Sequence, residues 1–112
     1  MKYYINGKLL FVDMITPYRY AVLEGDRVIT CRQTREQAES AAFRQRQYRE
    51  NIIAQFDRAL NVDEVRRIGQ TPDRMTREIR EDYPTAAAIY AAIQRQRRTL
   101  NSIRVVELEA EP

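Results

Sequence analysis

The chain has 112 residues, a net charge of +3, no histidine, no tryptophan and one cysteine, Cys31. That composition excludes Ser-His-Asp and Cys-His catalysis, a structural zinc site built on four Cys or His ligands, and any disulfide within the chain. With 31% charged and 44% hydrophobic residues, the balance is that of one modest globular domain spanning 1–112.

The opening, "MKYYINGKLL", breaks into a turn too early for a signal peptide. No apolar run approaches the ~20 residues that a membrane span needs. With a single cysteine, a cytoplasmic location is expected, in the host cell if the chain is phage-encoded. No cofactor and no metal are expected.

The N-terminal third reads as β structure, residues 1–33. Asn6-Gly7 between apolar flanks is a hairpin signal, because a type I′ turn needs positive φ at both central residues. The second strand runs from Lys8 to about Ile15, and Thr16-Pro17 interrupts it. "YRYAVLE" forms a third strand, Gly25-Asp26 a tight turn and "RVITCR" a fourth. Simple alternation puts Ile29 and Cys31 on one face and Val28 and Thr30 on the other. The expectation is a four-stranded antiparallel meander.

Residues 34–100 read as helical. Thr34 with Gln37 has capping-box spacing, and Ala38, Ala41, Ala42, Tyr48, Ile52, Ile53, Phe56 and Leu60 recur at helical intervals. Asn61 is the expected cap of a short helix that Gly69 ends. Thr71-Pro72 starts another helix, with Met75 and Ile79 as its apolar pair, and Pro84 breaks it. "TAAAIYAAIQRQRRTL" is the last helix, with Ile89, Ala92, Ile93 and Leu100 facing inward. A closing strand follows over 103–109. The fold class is therefore α+β: an N-terminal antiparallel meander, three to four helices and a short C-terminal strand.

Of 19 basic residues, all but Lys2 and Lys8 are arginine, so 17 are arginines. The guanidinium fork binds phosphate bidentately and stacks on flat rings; a GC-rich genome would also favour arginine codons. Arg-Gln alternation occurs twice, at Arg44, Arg46 and Arg49 and at Arg95, Arg97 and Arg98. The first is explained as the polar side of a helix. The second, which continues through Asn101 to Arg104 without an acid, is the cleanest basic segment. For a nucleotide, Arg98 and Arg104 would take phosphate, Tyr83 or Tyr90 would stack on the base, and Asn101 would bond a ribose or base edge.

A competing pattern is "DEVRRIGQTPDRMTREIRE", which has the outline of a helix-turn-helix over 62–82, with Arg74, Arg77 and Arg80 on a recognition helix. Residues 61–82 hold five arginines against six acids, a net of −1, which opposes binding to a phosphate polymer. Carboxylate pairs fall where caps and first turns account for them, and no catalytic residues are assigned.

"KYYINGKLL" leading to "YRYAVLEGDRVITCRQTREQAESAA" resembles the Thoeris anti-defence proteins of phages. The resemblance implies an N-terminal antiparallel sheet followed by long helices. It also implies an oligomeric, non-enzymatic protein that sequesters cyclic ADP-ribose signals without cleaving them. The first functional expectation is thus an anti-defence inhibitor that binds a nucleotide immune signal as a homo-oligomer. The alternative is an anti-CRISPR-type inhibitor of a host defence protein or nucleoprotein complex. The second alternative is the helix-turn-helix regulator, whose partner is nucleic acid. No membrane partner is expected.

Overall fold

The computed structural model describes residues 2–12 and 17–110. The expected extension of the second strand to Ile15, the break at Thr16 and the tail past Ala110 lie outside the described residues. The elements are β1 (Lys2–Ile5), β2 (Lys8–Val12), β3 (Tyr20–Glu24), β4 (Arg27–Arg32), α1 (Arg35–Leu60), α2 (Val62–Arg67), α3 (Arg74–Asp82), α4 (Ala86–Asn101), β5 (Ile103–Glu107) and β6 (Glu109–Ala110). The fold is α+β, with its first four strands at the N-terminus, antiparallel pairing throughout and closing strands at the C-terminus. The chain divides into two compact units: residues 1–46 with 102–112, and residues 47–101.

In the first unit the N-terminal strands pair as two hairpins, β1 with β2 and β3 with β4. Asn6 at φ 50° and Gly7 at φ 77° make the first turn, as the Asn-Gly pair requires. β2 does not continue onto β3, because the C-terminal segment takes the free edge of both hairpins. β5 pairs with β3 from Tyr20↔Glu107 to Glu24↔Ile103, and β6 pairs with β1 at Tyr3↔Ala110 and Tyr4↔Glu109. Among the described residues the result is two three-stranded sheets, ordered β2-β1-β6 and β4-β3-β5. Between β5 and β6, the Leu108 N–H donates to the Arg19 carbonyl at 2.8 Å, fixing the crossing point.

Both sheets contribute to one apolar cluster: Tyr3, Ala21, Leu23 and Leu108, with Ile5, Leu10, Tyr18, Val28, Cys31 and Val106 packed against it. Val28 and Cys31 share this cluster, whereas strict alternation separates them. The register explains why: Leu23 faces Val28 and Val22 faces Thr30, so Ile29 is an extra residue. One inserted residue inverts the facing of everything beyond it. The fully buried Tyr3 ring keeps its hydroxyl satisfied by accepting from the Tyr18 N–H at 2.8 Å.

The other face of β3 presents Val22 and Glu24, both buried. Within this unit, α1 contributes buried Ala38, Ala41 and Ala42, and its third turn reaches the sheet. Gln45 Nε2 donates to Glu24 Oε2 at 2.8 Å, and Arg46 Nη2 donates to the Ile103 carbonyl at 3.2 Å. Small residues at 38, 41 and 42 form the buried face of the first turns of α1. The expected Thr34 cap is present, with its Oγ1 accepting from the Gln37 N–H at 3.2 Å.

In the second unit, Phe56 and Ala59 of α1, Ile79 of α3, and Ile89, Ala92 and Ile93 of α4 form the core. Ile52, Ile53, Leu60 and Tyr83 pack around it, and the Tyr83 ring meets Phe56 edge-on at 5.2 Å. Tyr48, read as part of the apolar stripe, is 56% exposed; it lies a turn beyond the reach of this core. Asn61 is the N-cap of α2 by position, its carbonyl accepting from the Val65 N–H at 3.1 Å, but its side chain makes no cap bond. Its Nδ2 donates to the Asp57 carbonyl at 3.0 Å and closes the end of α1 instead.

Gly69, at φ 83°, ends α2 as expected. Its N–H donates to Arg66 O and the Gln70 N–H to Val65 O, each at 3.0 Å, a Schellman closure. α3 begins two residues later than Pro72 suggests. Asp73 is its cap, accepting from the Thr76 N–H at 2.8 Å. Thr76 and Ile79 therefore face inward three residues apart, and Met75, expected in the core, is left 47% exposed.

Candidate functional site

The first unit holds a cleft of about 310 Å³ between the β1–β2 hairpin and the β3–β4 turn, lined by Ile5, Asn6, Lys8, Leu9, Leu10, Leu23, Asp26 and Arg104. Its residues arrive there for local reasons. The Asn6-Gly7 turn brings Lys8 opposite Ile5 and Leu9 opposite Tyr4. The Gly25-Asp26 turn, with Gly25 at φ 61°, sets Asp26 beside the end of β3. β5 brings Arg104 opposite Leu23.

Arg104 is fixed by main-chain oxygens. Its Nη1 donates to the Gly25 carbonyl at 3.0 Å and to the Ser102 carbonyl at 3.1 Å. Carbonyls orient a guanidinium without cancelling its charge, so the fork stays available to an anion. The same corner is tied from beneath: Ser102 Oγ accepts from the Gly25 N–H at 2.9 Å, and the buried Glu24 carboxylate takes Arg27 at 2.9 Å and Gln45 at 2.8 Å. A turn held at this many points presents Arg104 and Asp26 with little freedom to rearrange.

The cleft is chemically mixed. Leu9, 52% exposed, with Ile5, Leu10 and Leu23 offers an apolar wall. Lys8 and Arg104 supply two cations, Asp26 a carboxylate and Asn6 an amide. An apolar wall beside cations suits a molecule with a flat body and an anionic group, and a carboxylate can accept from a sugar diol. Among the described residues no group of three or more Cys, Asp or Glu could hold a metal ion. No helix among them is long and apolar enough to cross a membrane.

Of the residues singled out from sequence, Arg104 is the one that lines this cleft. The others belong to the second unit. Tyr83, at the end of α3, is half-buried with its ring against Phe56, so packing already employs it. Tyr90 is 58% exposed on α4, and Arg98 and Asn101 are exposed further along. Arg98 and Asn101 are neighbours at i, i+3, but Tyr90 and Asn101 are about 16 Å apart along the axis at 1.5 Å per residue. α4 therefore carries Tyr90 separately from the Arg98–Asn101 pair.

Lys8, Asp26 and Asn6 were read only as turn and strand residues. The signal that marks them as site residues is that two turns and β5 meet, which is a property of the tertiary pairing.

A second cavity, about 390 Å³, lies in the helical unit and is lined by Asp57, Arg58, Asn61, Val65, Gln70, Thr71, Pro72, Asp73 and Thr76. Asp73 titrates below the ordinary carboxylate value. The Thr76 N–H is the chief cause, helped by the Thr76 hydroxyl and by the charges of Arg58 and Arg77, against a smaller opposing effect of desolvation. This stronger acidity is that of a helix-capping carboxylate. On α2 and α3 two of the arginines are locally neutralised: Arg67 meets Glu64 at 2.6 Å and Arg74 meets Glu78 at 2.8 Å. No family model matches the chain, and neither a curated protein nor a solved structure matches it.

Proposed function

We propose that the protein is a non-enzymatic binder that holds a nucleotide-type signal in the cleft of its first unit and so sequesters it. This is the anti-defence role that the Thoeris resemblance implies. The supporting observation is Arg104, oriented by two carbonyls and beside Lys8, at the edge of an apolar wall. On this reading Lys8 and Arg104 take phosphate, Asp26 accepts from ribose hydroxyls and the Ile5–Leu9–Leu23 wall receives the base. The exposed Arg98–Asn101 pair of α4 belongs to the second unit and is a separate candidate anion contact. The reading includes a homo-oligomer and a cytoplasmic site of action.

The test is thermal unfolding of the pure protein against cyclic ADP-ribose isomers, cyclic di- and trinucleotides and a DNA duplex. A ligand at 100 times its dissociation constant stabilises by about 2.7 kcal/mol, a shift of about 10 °C for a chain of this size. One nucleotide should give that shift, Lys8→Ala should abolish most of it, and the ligand should be recovered intact. A flat panel would overturn the reading. Light scattering of Ala91→Glu, on the exposed side of α4, tests assembly: a homo-oligomer through that helix falls to monomer, and an unchanged mass refutes that route.

A second reading, an inhibitor aimed at a host defence protein, is favoured by the exposed Ile68 (61%) and Met75 (47%) beside arginines already paired with acids. Exposed apolar side chains amid neutralised charge suit a protein surface better than DNA. This reading expects a flat nucleotide panel together with stable co-elution with such a complex. The helix-turn-helix alternative expects a shift with the duplex alone, reduced by Arg77→Ala.

A further inference from the structure

The first unit has a second polar notch, separate in its lining from the cleft above. It measures about 460 Å³ and is lined by Arg32 at the end of β4 and by Glu36, Gln37, Ser40 and Arg44 of α1. Beside Arg44 on the same helix stands Phe43, 60% exposed, although no described core needs it outside.

The arginines around this notch divide into two kinds. Arg35 is occupied: its guanidinium lies 5.1 Å from the centre of the Tyr20 ring and 3.9 Å from Glu39. Arg32 donates to Thr30 Oγ1 and to the Cys31 carbonyl, both neutral acceptors, so its direction is set while its charge persists. Among the described residues Arg44 meets no carboxylate. Two guanidiniums without a carboxylate partner therefore line one notch together with the Ser40 hydroxyl and the Gln37 amide, and the exposed Phe43 ring follows Ser40 by three residues on the same helix.

Glu36 also lines the notch, and its charge disfavours a compact dianion such as free phosphate. A polymer that brings one singly charged phosphate to each arginine avoids that conflict, and a carboxylate can accept from the amino group of a base. Arginines that keep their charge, with a ring on which a base can stack, are elements of single-strand recognition. We infer that the Arg32–Arg44 notch with Phe43 is a binding surface for single-stranded nucleic acid. Arg32 and Arg44 hold phosphates and Phe43 stacks on a base. This surface is independent of the proposed nucleotide cleft.

The test is fluorescence anisotropy of a labelled oligothymidine 12-mer with the full chain across a series of salt concentrations. Binding should weaken with salt, and Phe43→Ala should raise Kd on the order of tenfold, the effect of losing one base stack. Arg44→Ala should lower the slope of log K against log salt by about 0.7, the value for one single-strand phosphate contact. Arg67→Ala, which removes a charge already paired with Glu64, should change neither. All three side chains are exposed, so the variants should keep the fold, which circular dichroism checks. Three results would each overturn the inference: no binding by the wild type, equal affinities for wild type, Phe43→Ala and Arg44→Ala, or a duplex bound as tightly as the single strand.

Discussion

The two units use arginine differently. In the β unit, Arg104, Arg46 and Arg32 donate to main-chain carbonyls, while Arg27 and Arg35 meet Glu24 and Glu39. In the helical unit, Arg67 and Arg74 pair with glutamates one turn away on their own helices. A carbonyl fixes the guanidinium and leaves its charge for a ligand, whereas a carboxylate removes most of it. Net charge therefore says little about where an anion binds. The difference lies in what the strands and helices offer: strand ends and turns expose carbonyls, and helix surfaces place acids at i+3 and i+4. The cores differ too. The helical unit relies on apolar packing, while the β unit buries a charged group, Glu24, at the corner that supports the cleft.

That contrast can be broken at several points. The largest effect should come from Ile89→Ala, which removes a fully buried side chain from the helical core. The expected loss is about 2–5 kcal/mol by chemical denaturation, and a loss below 1 kcal/mol would mean that this core is not packed as described. Glu24→Ala should cost about 1–3 kcal/mol, because the Gln45 amide loses its buried acceptor. It should also weaken any ligand of the Arg104 cleft, since the Gly25 turn loosens. A stable variant with unchanged ligand binding would show that Glu24 does not organise that corner.

Asp73 sharpens the comparison through pH. Its carboxyl titrates lower when folded than when unfolded, so the unfolded chain binds the proton more readily. The stability it contributes is present above the unfolded value near 3.9 and is lost as pH falls through the lowered folded value. Asp73→Asn should flatten the stability profile in that acid window. Melting curves from pH 5 down to 2 that stay parallel for the two proteins would contradict this. The smallest effect belongs to Arg74→Ala. Its ion pair with Glu78 is exposed, so stability should move by no more than ~0.5 kcal/mol. A larger loss would assign the helical arginines a structural role.

Much of the element order was readable from single residues whose backbone preferences are strong. Asn6-Gly7, Thr34 with Gln37, Gly69 and Pro84 each mark a boundary that the structure keeps, because each acts within a few residues of itself. The misses occur where a competing local partner or a distant segment decides. Asn61 bonds back to Asp57, and Asp73 displaces Thr71-Pro72 as the start of α3. The insertion at Ile29 reverses the facing of Cys31, and the capture of both hairpins by residues 103–110 depends on pairing across most of the chain. The candidate cleft follows the same division. Arg104 stood out as a basic residue without an acidic neighbour. Lys8 and Asp26, from turns more than fifteen residues apart, become its companions only once the sheets form.

The strand pair β5–β6 has a consequence for how the protein is made. Residues 103–110 supply the third strand of both sheets and the Leu108 plug of their shared cluster, yet they are synthesised about seventy residues after β4. On the ribosome the two hairpins must wait, incomplete, while all of the helical sequence emerges. Pairings of such long sequence separation form slowly, and strand edges left open in the interval invite pairing with other chains. The helical unit, whose contacts are more local, can be complete before the last strand appears. A nascent chain stalled before Ile103 should then show protease-resistant helices and a cleavable N-terminal segment, so the cleft would be the last part of the molecule to exist.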